Sequence, residues 1–396
     1  MELNDFAIKY LCLGLRTNKH IDGYVEHYYG PPKLKKMVDM EEKCSPIILL
    51  KDCRALIAQL PKQGFEKKRY NFLDKTLIAI ETTLRTLNGE KIPYLEQVEK
   101  LFDFKPIFYD DNFFYNLSSK ADKLYKGKGT LSERIARYAK QRTIPSGRLK
   151  ELYMKAIRIA QKRTQKVFPN LLPDNEEIDI LEVEDQSWPM YCWYRGNYAS
   201  RIEIDITNVH YWTHLLSNAC HEGYPGHHTE RTAREKLLYR SKGYFESSIL
   251  LIYSPEIVIS EGIGVTAEKV LFDPTESAKI LLEELHPNPK IEDNLETLAE
   301  QDEIRGGFGK FQSNLAYHKY VHKWSDDKLI KYAKSFKVIP DKGIRAILKF
   351  ILDEFWAHYV LVYQGERLIT EKFGNRPSPK HFRRLLTEQT LPSDLL

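Results

Sequence analysis

Apolar residues recur at helical spacing through most of the chain. An amphipathic helix is predicted over residues 1–20, and others at about 46–61 and 68–88, the last closed by Asn88-Gly89. Between the first two lies an aromatic segment, Ile21 to Tyr29, stopped by Gly30-Pro31-Pro32. Residues 104–118 are aromatic and turn-rich. Two long helices are predicted over 120–166, split at Ile144-Pro145-Ser146-Gly147. Period two is clear only at Arg201–Thr207, where Ile202, Ile204 and Ile206 share one face; this predicts a half-buried strand. Tyr211 to Cys220 is again helical, through Trp212, Leu215, Leu216 and Ala219. After 228 the pattern is almost wholly helical, with breaks near Ser254-Pro255, Asp273-Pro274, Pro287-Asn288-Pro289, Pro340 and Pro377-Ser378-Pro379. The fold class expected is mainly α, multi-helical, with a small β-sheet beside the helix that begins near Tyr211. A helical region, 1–170, is expected to pack on a second region, 171–396, as one continuous unit.

Composition narrows the class without identifying it. Of 396 residues, 42% are hydrophobic and 29% charged, enough for a sizeable core and unlike a disordered chain. The formal charge of +5 does not by itself imply a nucleic-acid or membrane partner. Five cysteines, with no CxxC pair, point to free thiols in a reducing compartment. The first residues lack the basic start and apolar core of a signal peptide, and no apolar run approaches the ~20 residues that span a bilayer. A cytoplasmic protein with no membrane partner is therefore expected. Charge is uneven in one place: over 120–166, fifteen lysines and arginines face only Asp122, Glu133 and Glu151. Solvated helix faces are the plain explanation; a groove for a polyanion is the sharper one.

The densest chemistry is His221-Glu222-Gly223-Tyr224-Pro225-Gly226-His227-His228. Neutral imidazole is the commonest protein ligand for zinc, and a neighbouring carboxylate can take a proton from water held there. In the usual HExxH form the two histidines lie four apart on one helical face. Here the interval is six or seven. On an unbroken helix, at about 100° per residue, His228 would share the face of His221 and His227 would not. Pro225 and Gly226 break that premise. If they form an insertion, His227 takes the second ligand place; if the helix runs on, His228 does. A catalytic zinc usually takes three protein ligands, and the third expected is Glu261, in Ser260-Glu261-Gly262-Ile263-Gly264. The two glycines of that helical run make sense if another helix, or the metal, approaches closely. Glu268 is a candidate partner to a ligand histidine.

Glu222 is then the expected base. Tyr359, Tyr363 and Arg201 are the candidate donors to an oxyanion, and Arg201 could instead hold a substrate's terminal carboxylate. The strand at 201–207 could pair with an extended peptide by strand addition. His210 and His214 are expected on the polar face of the metal helix, and His318 and His322 at the surface.

At HEGYPGHH the sequence resembles a family of unknown function marked by HExxPGHH. The likeness extends to Trp193–Ile204, which is similar to that family's WYxGxYxSRIE strand, and to Ile21–Tyr24 with Tyr28–Pro32, similar to its VDxYYGPP segment. Glu261-Gly262 matches the start of its EGWAxYxE helix, with Ile263 where Trp is usual and Thr266 where Tyr is usual. His381-Phe382 to Leu391-Pro392 resembles its closing FH…LP pattern. The resemblance implies a helical, gluzincin-type metallopeptidase-like fold, with one zinc ion held by His221, His227 or His228, and Glu261, and Glu222 as base. It supplies no substrate. The expected activity is a zinc-dependent hydrolase, a metallopeptidase cleaving peptide bonds, and a carboxypeptidase if Arg201 binds a terminal carboxylate. The alternative is a non-catalytic metal-containing protein that binds nucleic acid through 120–166.

Overall fold

A computed structural model describes residues 3–186, 188–286, 293–353 and 356–396. The fold is mainly α, with two small sheets among the described residues. The expected helices are present as Asp5–Asn18, Pro46–Gln59 and Lys67–Leu87. The first begins at residue 5 because the Asn4 side chain accepts from the Ala7 N–H at 2.9 Å, satisfying a donor the helix cannot. The segment expected to hold two helices over 120–166 is divided once more. Helix Asp111–Leu124 ends before Gly127 and Gly129, both at positive φ, and Leu131–Gln141 starts from a capping box of Thr130 with Glu133. Leu149–Val167 follows. The break expected at Pro287-Asn288-Pro289 lies outside the described residues.

Among the described residues, five strands complete the framework. β1 (Val25–Tyr28) pairs antiparallel with β5 (Ile249–Leu251). β2 (Glu177–Val183), β3 (Met190–Gly196) and β4 (Ala199–Asp205) form the other sheet, in the order β2-β4-β3. The alternation read for 201–207 is seen in the buried Ile202 and Ile204. Asp205, expected on the polar face, is buried as well, because the backbone of Gln186 and Thr207 and the side chain of Asn208 donate to it. The strand's expected role is corrected. β4 is central, parallel to β2 on one side and antiparallel to β3 on the other, so its backbone groups are already used and cannot receive a peptide.

Four helices frame the histidine motif: α1 (Leu215–Glu222), α2 (His227–Arg234), α3 (Pro255–Leu271) and α4 (Gly365–Phe373). α1 packs between helix Leu149–Val167 and α3, while α4 lies along the other side of α3. The α3–α4 approach depends on glycine. A β-carbon on Gly365 would lie 1.9 Å from the Val258 carbonyl oxygen, and one on Gly262 would lie 2.7 Å from the Gly365 backbone. Most buried apolar residues, from Phe6 to Leu395, belong to one contiguous cluster, so the site rests on both halves of the chain; a small second cluster gathers Ala121, Leu131, Ile304 and Val338. None of the described helices is long and apolar enough to cross a membrane.

Candidate metal centre

α1 stops at Glu222 and α2 starts at His227. The turn between them contains a cis Tyr224–Pro225 bond and folds back tightly enough for the Gly226 N–H to reach the Cys220 carbonyl at 2.9 Å. A β-carbon on Gly226 would sit 1.9 Å from the His221 carbonyl oxygen. The two histidines therefore ride on separate helices, and the premise of one continuous helix does not hold. His221 and His227 face each other with ring centroids 4.7 Å apart and planes at 89°.

Glu261, in the first half of α3, meets both. Its Oε2 lies 3.5 Å from His221 Nε2 and its Oε1 lies 3.9 Å from His227 Nε2. One donor atom from each of these three residues falls within 4.8 Å of the other two. Ligand atoms around a tetrahedral ion with ~2.0 Å bonds lie about 3.3 Å apart, so small side-chain rotations would bring this set to a metal. Glu261 Oε2 is buried, and His221 Nε2, 3.5 Å away, offers it at best a long, weak hydrogen bond. A buried carboxylate oxygen in that state calls for a cation. Two imidazoles and a carboxylate also match the donor chemistry of zinc. Burial alone would raise the Glu261 carboxyl, but His221, His227 and the Tyr359 hydroxyl outweigh it and hold the group at about 2. It is an anion throughout the physiological range.

The surroundings hold the three candidate ligands in place. His227 Nδ1 lies 3.2 Å from Ser260 Oγ, and Ser260 donates to Glu230 Oε2 at 2.6 Å. With its own proton committed to Glu230, the serine oxygen accepts from Nδ1–H, which leaves the His227 Nε2 lone pair facing Glu261. Tyr359 donates to Glu261 Oε1 at 2.7 Å, which makes it a partner of the candidate ligand carboxylate. The imidazole of His221 lies over Gly264, where a β-carbon would be 2.6 Å from Cε1. Both glycines of the Glu261 segment thus have a close approach, Gly262 to the backbone of α4 and Gly264 to the His221 ring.

Glu222 stands beside this set, its Oε1 3.9 Å from His221 Nε2. Burial raises its carboxyl above the ordinary glutamate range, with Glu261 adding to the rise and His221 and His227 opposing it. Tyr363 lies at the rim, 42% exposed, its ring 5.9 Å from that of Tyr359. Desolvation, then the charges of Glu261 and Glu222, push that phenol up, so it stays a proton donor at neutral pH.

Other expected residues are placed elsewhere. His228 turns away from the centre, with Nδ1 2.8 Å from Ser200 Oγ and Nε2 2.8 Å from Glu176. Both its nitrogens are occupied, so it is corrected from alternative ligand to a tie between α2 and the β-sheet. Arg201 pairs with Asp179 across β2 and β4 at 3.2 Å. The cation whose charge reaches Glu222 and His221 is instead Arg231, one turn along α2 from His227. Arg231 is buried between Glu26, at 2.8 Å, and the Cys192 carbonyl, at 3.2 Å. Glu268 bonds Ser277 rather than a ligand histidine. His210 is buried against Tyr153 and the Asp205 carbonyl. Ser260, Glu230 and Arg231 were not singled out from the sequence. Only Glu230 carried a signal there, three places after His227 on the same helical face.

No family model matches this chain, and no curated protein matches it. Among solved structures it is similar to one described as a "putative lipoprotein" from Colwellia psychrerythraea, with TM-score 0.51 and 14% identity. The match covers 88% of this chain and 65% of that one, so this chain spans less than two thirds of that protein. The likeness is one of fold alone.

Proposed function

We propose that the chain is a zinc-dependent hydrolase of peptide or related amide bonds, a reading supported above all by the convergence of His221, His227 and Glu261 with Glu222 alongside. The resemblance at HEGYPGHH, the gluzincin-type ligand order and a peptide substrate belong to the same proposal. His221 Nε2, His227 Nε2 and a Glu261 oxygen would hold the ion. Bound there, zinc would supply Lewis acidity toward a carbonyl and toward water.

The protein's own groups do the rest. Glu222, raised by burial, takes a proton from water more readily than an exposed carboxylate and returns it to the leaving nitrogen. Tyr363, still protonated, offers its hydroxyl to the oxygen on which charge develops. Ser260 and Glu230 hold the tautomer of His227, and Tyr359 holds Glu261. Arg201 drops out of this scheme, and with it the support for a carboxypeptidase. The nucleic-acid alternative loses support, because several cations of the basic segment are engaged: Lys120 with Glu303, Arg134 with Asp122, Arg142 with Asp293 and Arg163 with Glu276. A cytoplasmic location is part of the proposal, supported by five free cysteines.

The test joins metal analysis of the purified protein with cleavage of a peptide library. One zinc per chain is expected, lost in His221→Ala, together with cleavage that Glu222→Gln abolishes while keeping the metal. Cleavage equal in the wild type and Glu222→Gln would falsify the hydrolase.

A further inference from the structure

Two segments that the metal centre does not use, Tyr28-Tyr29-Gly30 and Arg195-Gly196-Asn197, come together at a cavity of about 380 Å³. The volume lies within the ~300–1,000 Å³ of small-molecule sites. Its walls are built closely. A β-carbon on Gly196, which has φ +75°, would lie 2.7 Å from Tyr29 Cβ, so glycine alone permits this approach of hairpin to aromatic segment. Tyr29 is pinned by its hydroxyl to the Ser247 carbonyl. Asn197 is pinned by its N–H to Glu235 at 3.1 Å and by its side-chain oxygen to Arg240 at 2.7 Å.

The charges lining the cavity do not cancel. Arg240 is neutralised by Glu235, at 2.8 Å from its Nε, and Lys35 by Asp39, at 2.8 Å. Lys36, from helix Pro32–Met40, and Arg195, from the end of β3, make no ion pair or hydrogen bond among the described residues. Two uncommitted cations therefore face a concave space with tyrosine in its wall. A guanidinium is suited to a planar or tetrahedral oxyanion, an ammonium adds a point charge, and an aromatic wall suits an organic body.

We propose that this cavity binds a small organic anion through an oxyanion head, carboxylate or phosphate, held by Arg195 and Lys36. The site is distinct from the metal centre. α2 and the wider helical turn Glu235–Arg240 link the two, and Glu235 lies eight residues beyond His227, or about 12 Å at 1.5 Å per residue. A dense layer of buried charge, including Arg234, Glu230 and Glu256, stands between.

Calorimetric titration of the whole protein with inorganic phosphate, and separately with succinate, tests this. Saturable binding of at least one of them, one per chain, is expected. Affinity should fall more than about tenfold in Arg195→Gln and in Lys36→Gln, and stay unchanged in Lys33→Gln, a neighbouring exposed lysine outside the cavity. Phosphate alone or succinate alone would identify the head group. Binding should persist in His221→Ala, which separates this site from anion capture by a metal. No saturation below about 10 mM by either anion, equal affinity in Arg195→Gln, equal loss in Lys33→Gln, or loss in His221→Ala would each overturn it. Arg195 and Lys36 are exposed, so melting temperatures of the variants should match the wild type.

Discussion

At the scale of single residues, the cluster of convergent side chains was legible where residue type and spacing carry it. Histidine beside glutamate, then a lone glutamate in a glycine-bearing helix, was enough to select His221, Glu222 and Glu261. The choice between His227 and His228 was not legible, because it depends on where a helix stops, and Pro225-Gly226 admits more than one path. The Ser260–Glu230 contact was hidden for another reason: its partners meet across two helices, and no local pattern records that. Two outcomes follow. Ser260→Ala removes the acceptor that orients His227 and should weaken zinc affinity by about 10–100-fold, measured by competition with a chromophoric chelator. Gly264→Ala puts a methyl where the His221 ring lies, 2.6 Å from Cε1. It should lower metal occupancy more than it lowers the melting temperature of the metal-free protein, and a fully loaded Gly264→Ala protein would refute the close approach.

At the scale of elements, apolar periodicity located the helices well because each buries one stripe against the core. It located β4 but could not tell that the strand is central, since neighbours in a sheet are set by the fold and not by the strand's own alternation. The basic stretch has the same limit. Its charges look unopposed along the chain, yet some meet carboxylates from distant parts of it, as Arg142 meets Asp293 and Lys120 meets Glu303. The packing of α3 on α4 offers a test. Gly365→Ala drives a β-carbon to 1.9 Å from a carbonyl oxygen, and the helices must part. A loss of about 1–3 kcal/mol or more is expected, read from urea unfolding; an unchanged midpoint would mean the helices are not so closely apposed.

At the scale of the whole molecule, the site is one part of a larger buried ionic framework. Glu26, on β1, is held by Arg231 at 2.8 Å. Burial would raise its carboxyl, but Arg231 and His27 outweigh that and hold it at about 2. An unfolded glutamate titrates near ~4.3. The stability this group contributes is therefore complete above that value and is lost as pH falls through about 2. Wild-type unfolding free energy should drop across that acid window, and Glu26→Gln should be less stable at neutral pH with a shallower acid slope. Zinc that binds the folded state alone should raise the melting temperature in proportion to the logarithm of its concentration, and should leave His221→Ala unmoved.

The tight turn between α1 and α2 has a consequence for recognising kindred chains. Six positions separate the paired imidazoles, and the residue just before the second has no room for any side chain. Interval and glycine are thus a single steric unit: a pattern built on the four-residue spacing will pass over such proteins, and one that lengthens the gap without demanding that glycine will collect impostors.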